Sequence, residues 1–163
     1  MGFGILKKSV GWKMERAIFT NMCMIYDGDK VLVQDRKDPK WPGVTFPGGH
    51  VEPEESFMLS AIREVKEETG LDVRDLQFCG VKQFTDRDKD YRYVVFLYKT
   101  DSFRGELRSS EEGEVFWVNR QELCQYRMAR SFEQMLEVFE NEDVAEIFYW
   151  YDQDADEWCS ETV

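Results

Sequence analysis

The chain has 163 residues, 42% hydrophobic and 15% aromatic, with a formal net charge of −12. That length suits one domain able to bury a core without disulfide or metal staples. The acidic balance argues against a nucleic-acid duplex as partner, because duplex binding rests on phosphate neutralisation by Lys and Arg. No apolar run is long enough to span a bilayer, and Met1 to Val10 lacks the sustained apolar stretch and small-residue cleavage site of a secretory signal. Cys23, Cys79, Cys124 and Cys159 are scattered with no C-x-x-C pair, which speaks against zinc and for a reducing, cytoplasmic compartment.

Residues 1–15 read as an N-terminal extension, 16–152 as the body of one domain, and 153–163 as an acidic C-terminal tail without imposed structure. Arg16 to Tyr26 is almost continuously apolar and predicts a buried strand. Asp27-Gly28-Asp29 predicts a hairpin turn into a second strand, Lys30 to Arg36. Two prolines and a glycine make Lys37 to Gly43 a loop, and Pro47-Gly48-Gly49 a tight turn. A helix is expected from about Ser56, as N-cap, to Thr69, stopped by Gly70. Strands follow at Leu76 to Thr85 and Tyr91 to Thr100, joined by a charged turn at Asp86 to Asp90, and another at Glu114 to Val118. Phe132, Met135, Leu136 and Phe139 recur at helical spacing, predicting a helix from Ser131 to Asn141, and Ala145 to Asp152 closes the fold as a strand. Strands, a helix, more strands and a late helix suggest a mixed sheet with helices on its faces.

Residues 49 to 70 spell G-x5-E-x7-R-E-x-x-E-E-x-G, with Gly49, Glu55, Arg63, Glu64, Glu67, Glu68 and Gly70 at the fixed positions. On a helix, Glu64, Glu67 and Glu68 fall within an arc of about 100°. Met58, Leu59, Ile62, Val65 and Thr69 fill the opposite face, so the helix is expected to bury that side and point three carboxylates outward. Like charges so close repel by a few tenths of a kcal/mol per pair. A cation among them relieves this, and hard oxygen ligands favour Mg²⁺ or Mn²⁺. The bland alternative, a solvated acidic face, does not account for Gly49, Glu55, Arg63 and Gly70 in register. Arg63, four residues before Glu67, can hydrogen-bond that carboxylate and fix its rotamer. Ala61, sitting among the glutamates, leaves room for ions and phosphate.

The pattern resembles the Nudix box, the signature of hydrolases that cut nucleoside diphosphates linked to another group. No fixed position departs from it. The resemblance implies an α/β fold, the Nudix-type α/β/α sandwich with a mixed β-sheet. It also implies Mg²⁺, with Mn²⁺ as an alternative, held by the Gly49 carbonyl and by Glu64, Glu67 and Glu68. Water then attacks phosphorus, with Glu67 or a loop acid as base; Arg63 belongs to this catalytic set. Glu112 is the loop candidate, because Ser109-Ser110-Glu111-Glu112-Gly113 precedes the strand carrying Trp117 much as in MutT-like relatives. An ordinary acidic turn is the other reading of Glu112.

Phe46-Pro47-Gly48-Gly49-His50-Val51-Glu52, with Trp41 upstream, looks like the MutT-type 8-oxo-dGTP diphosphatases of bacteria. Arg36 matches an arginine that touches substrate in those proteins, and is otherwise a surface arginine. Trp41 either stacks on a base or anchors its loop. His50, the only histidine, is a candidate for substrate contact, and Glu52 for an outer metal ligand. Phe84 is expected in the core, and Glu55 at the loop or helix start rather than in the chemistry. The resemblance departs at one place, since MutT reads oxidised guanine with a late-loop asparagine and Gln125 to Ser131 contains none. It implies a nucleoside triphosphate cleaved to monophosphate and pyrophosphate, with 8-oxo-dGTP as one substrate, in a homodimer. Other nucleoside diphosphate derivatives (nucleotide sugars, pterin triphosphates) and a non-catalytic nucleotide sensor are the alternatives.

Overall fold

The apolar run near the start forms β1 (Ala17–Asp27), and its alternating side chains border two separate cores. Met22 and Met24 enter one, with Phe46, Phe132, Met135 and Phe139. Cys23 and Ile25 enter the other, with Ala61, Val65, Leu71 and Tyr98. A strand covered on both faces needs no polar side, which is why it reads as a continuous apolar stretch. The computed structural model describes residues 14–86 and 89–163.

β1 runs parallel to β6 (Tyr91–Thr100), from Ala17 opposite Arg92 to Ile25 opposite Thr100. Only its tip turns back onto β2 (Lys30–Arg36), through a hairpin in which Gly28 takes a φ of 56°. β2 lies between β3 (Gly43–Thr45) and β8 (Gly113–Asn119), antiparallel to both. On the far side β6 pairs antiparallel with β5 (Gln77–Asp86), and β5 runs parallel to β9 (Glu146–Asp152). A short pair, β4 (Asp72–Val73) and β7 (Phe103–Arg104), stands apart. α1 (Phe57–Thr69) packs on β1, β4 and β8, whereas α2 (Phe132–Glu140) packs on β5, β6 and β9. A curled mixed sheet thus lies between two helical layers, the expected α/β/α sandwich.

Several expectations change. Residues 153–163, read as a tail, contain β10 (Glu157–Thr162), antiparallel to β9 with Glu157 opposite Asp152 and Thr162 opposite Ile147. The polar composition concealed it, because an edge strand keeps one side in water. α1 is rotated from its expected setting. Met58 and Leu59 are 43% and 61% exposed, while Ser60, Ala61, Val65, Glu68 and Thr69 are buried. The loop and β1 approach this face so closely that small side chains fit and Asn21 Nδ2 donates to Ser60 Oγ at 2.7 Å. Ala61 therefore lies in the core, not in a space left for ions. Gly70 stops α1 in the left-handed conformation, as expected, whereas Ser56 stands at the N-cap without a side-chain cap bond. The N-terminal extension up to residue 13, and residues 87 and 88 of the charged turn, lie outside the described residues. Among those described, no helix is long and apolar enough to cross a membrane.

Candidate active site

The segment between β3 and α1 is laid along β1 by backbone hydrogen bonds. Cys23 N–H donates to Pro47 O, Asn21 N–H to Gly49 O, and Val51 N–H to Phe19 O, each at 2.9 Å. A Cβ on Gly48 would stand 2.2 Å from the Asn21 carbonyl oxygen, so only glycine allows this approach. Gly49 faces the other way, and a Cβ there would meet the Glu64 carboxylate at 2.5 Å. The two glycines bring the loop onto the sheet and the Glu64 carboxylate onto the loop.

Arg63 ties this arrangement together. Its Nε and Nη2 donate to the two Glu55 oxygens at 2.8 and 2.9 Å, and Nη2 also reaches the His50 carbonyl at 3.0 Å. Nη1 donates to Glu64 at 2.9 Å and to Glu67 at 3.1 Å, the contact expected from the four-residue spacing. The bidentate bond to Arg63 holds the Glu55 carboxyl down at about 2. Glu55 also accepts the Glu52 N–H at 3.0 Å, so it anchors the helix entry, as expected.

The three box acids have unlike surroundings, not a common outward face. Glu67 is 58% exposed, whereas the Glu64 side chain is 13% exposed and burial raises its carboxyl against the pull of Arg63. Glu68 is 2% exposed, beneath the loop, where Oε2 accepts the Gly48 N–H at 2.7 Å. Burial, then the adjoining Glu112, pushes its carboxyl up to about 8. Glu68 Oε1 and both amide atoms of the neighbouring Gln34 are buried without hydrogen-bond partners.

As the side chains stand, no three acidic, His or Cys side chains among the described residues converge on one point. The donors nevertheless fit a hard divalent cation. An orphaned buried carboxylate oxygen, a second carboxylate over a glycine, and a third acid from another loop are all oxygen ligands.

Beside the acids opens a cleft of about 810 Å³ lined by Arg36, Trp41, Gly49, His50, Glu64 and Glu112. These six predicted site residues are brought together. Glu68 lies beneath them and Glu67 and Arg63 beside them, while Glu52 sits at the outer surface next to Pro53 and Phe57. Arg36 lies 5.2 Å from the Trp41 ring centre and 3.8 Å from Asp38. Trp41 Nε1 donates to the Arg130 carbonyl at 2.9 Å, so the ring is both anchored and part of the wall. The exposed His50 ring stands edge-on to Tyr93 at 6.4 Å.

Part of the lining escaped the sequence. Lys82, Phe84, Arg130, Tyr149 and Trp158 also line the cleft. Phe84, expected in the core, instead stacks on Tyr93 at 5.2 Å with Trp158 edge-on at 6.2 Å. One signal was present, a lysine in mid-strand between Val81 and Phe84, where an inward charge has no structural reason.

The sequence profile of the NUDIX domain matches residues 19–155. The chain belongs to the NUDIX domain family. It shares 33% identity over 111 residues with the uncharacterized Nudix hydrolase YvcI of Bacillus subtilis, covering 66% of this chain and 69% of that protein. An ADP-ribose pyrophosphatase of Methanocaldococcus jannaschii is 33% identical over 100 residues, but this NUDIX chain covers only 59% of its length. The crystal structure of the MutT protein of Bacillus halodurans has the same fold, with a TM-score of 0.73 at 24% identity over 89% of this chain and 97% of that one. The family comprises hydrolases of nucleoside diphosphate derivatives, and the residues matched include the whole acidic cluster.

Proposed function

We propose that this NUDIX chain cleaves a nucleoside triphosphate to the monophosphate and pyrophosphate with Mg²⁺ or Mn²⁺, and that 8-oxo-dGTP is one substrate. The observation that carries this reading is the buried Glu68 carboxylate, which has one oxygen unpartnered and adjoins Glu112 of the nucleotide-sized cleft. An uncompensated buried carboxylate is costly. A cation relieves that cost and holds the group ionised at neutral pH. When bound, the metal supplies charge neutralisation for the phosphate oxygens and lowers the pKa of the attacking water.

The chain's own residues do the rest. Glu64, Glu67, Glu68 and the Gly49 carbonyl, which keeps one lone pair beyond its bond to Asn21, would hold the cation. Arg63 aligns Glu64 and Glu67 while remaining charged itself. Glu67 or Glu112 takes the proton as the water oxygen bonds to phosphorus and the anhydride P–O bond breaks. Arg36 and His50 contact the substrate, Trp41 offers a face for a base, and Glu52 lies too far out to touch the cleft in this conformation.

The test measures pyrophosphate release with Mg²⁺ from a panel of nucleoside triphosphates that includes 8-oxo-dGTP. ADP-ribose is added because the Methanocaldococcus relative is a pyrophosphatase for it, with AMP and ribose 5-phosphate as its products. Turnover is expected to fall about 10²- to 10⁴-fold in Glu67→Gln and in Glu68→Gln. Undiminished turnover in both variants would place the chemistry elsewhere. Hydrolysis of ADP-ribose alone would replace the triphosphate reading.

A further inference from the structure

Lys82 is 8% exposed at the centre of β5, and no side-chain hydrogen bond or ion pair joins its ammonium to any described residue. Its charged neighbour is Arg130, of like sign, and burial with that repulsion lowers the amine to about 8. Its ammonium faces the rings of Tyr149 at 5.3 Å and Trp41 at 5.8 Å, and it lines the same cleft as Glu64 and Glu112. The Tyr149 hydroxyl beside it is buried without a hydrogen-bond partner. Burying an ammonium without an acceptor destabilises a fold, and an apolar side chain of that length would serve packing better. The missing acceptor therefore belongs to a ligand.

The geometry of the wall narrows its chemistry. Trp41 and Tyr149 border the lysine, and the stacked pair Phe84 and Tyr93 with Trp158 continues the aromatic surface. Flat rings around one donor suit a flat ligand group better than a tetrahedral phosphate. With the polyphosphate at the acids, this end takes the base. An ammonium has three donors and no acceptor, so at purine C6 or pyrimidine C4 it pairs with an oxygen and finds no acceptor in an amino group.

We propose that Lys82 is the specificity-determining residue of the cleft. It donates to the oxygen at C6 of guanine or at C4 of uracil and thymine, favouring these bases over adenine and cytosine, which carry an amino group at that position. The inference rests on the nucleotide reading of the site and adds the class of base to it.

Binding of the monophosphates GMP, UMP, AMP and CMP, followed by calorimetry, tests this without turnover. The wild type is expected to bind GMP and UMP about 10- to 100-fold tighter than AMP and CMP, the range for a hydrogen bond to a charged donor. Lys82→Met should erase that preference while keeping a cooperative melt. Lys82→Gln, whose amide both donates and accepts, should narrow it to within about threefold. Equal weakening of all four ligands in Lys82→Met, together with weaker pyrophosphate binding, would assign the lysine to a phosphate and overturn the proposal. So would a wild type with no base preference, a variant that keeps the preference, or no measurable binding of any of the four. Pyrophosphate release from the triphosphate panel is scored separately. Its absence would sink the hydrolase reading and leave the base preference to stand or fall on binding.

Discussion

Lys82 carries a consequence for stability that can be measured apart from any ligand. Burial lowers its amine from 10.5 to about 8. Between those values the unfolded chain binds the proton and the folded chain does not, so stability rises with pH across that window. Below pH 8 both states are protonated and the full cost of the buried charge remains. Lys82→Met is therefore expected to melt higher than wild type at pH 7, by up to about 3 kcal/mol, the ceiling set by the two pKa values. The advantage should shrink as pH rises towards 10, which thermal melts of the two proteins at several pH values would reveal; a constant difference would mean that the charge is not the cause. Glu68 teaches a similar lesson. A helical wheel treats every glutamate as outward-facing, yet this one is 2% exposed because the loop folds over it. The box residues were legible in the sequence, but their burial was not, since it depends on a neighbouring segment's path.

At the scale of elements, α1 and the loop before it behave as one unit fastened by Arg63. Its guanidinium serves three carboxylates and a backbone carbonyl at once, a fork that a lysine ammonium cannot reproduce. Arg63→Lys should lower stability by about 1–3 kcal/mol and reduce kcat more than it raises KM, because the displaced groups are acids rather than substrate contacts. Denaturant unfolding and steady-state kinetics together check this; a pure KM effect would contradict it. The longer elements were legible to within a residue or two, as for α1 at Phe57–Thr69 and β2 at Lys30–Arg36. The two-residue strands β4 and β7 were not, because so short a pairing leaves no periodicity to read. The rotation of α1 was hidden for another reason. Its buried face is made of small and polar residues, so hydrophobic patterning pointed to Met58 and Leu59 instead.

For the whole molecule, the order of elements pointed to the layered fold, but the closing hairpin did not show in an acidic, polar ending. That hairpin completes the cleft, since Trp158 and Ser160 of β10 line it. Removing residues 153–163 should leave a folded protein, because β10 hydrogen-bonds to β9 alone within the sheet. Loss of the Trp158 contacts should raise KM for nucleotides roughly threefold to tenfold with little change in kcat, in keeping with one aromatic contact; unchanged KM would remove Trp158 from the binding surface. The path of β1 has a different consequence. One strand forms the boundary of both apolar interiors, so neither half can melt while the other keeps its packing. The amides of Cys23 and Met24 should exchange with solvent only through complete opening, and heating should give a single calorimetric peak.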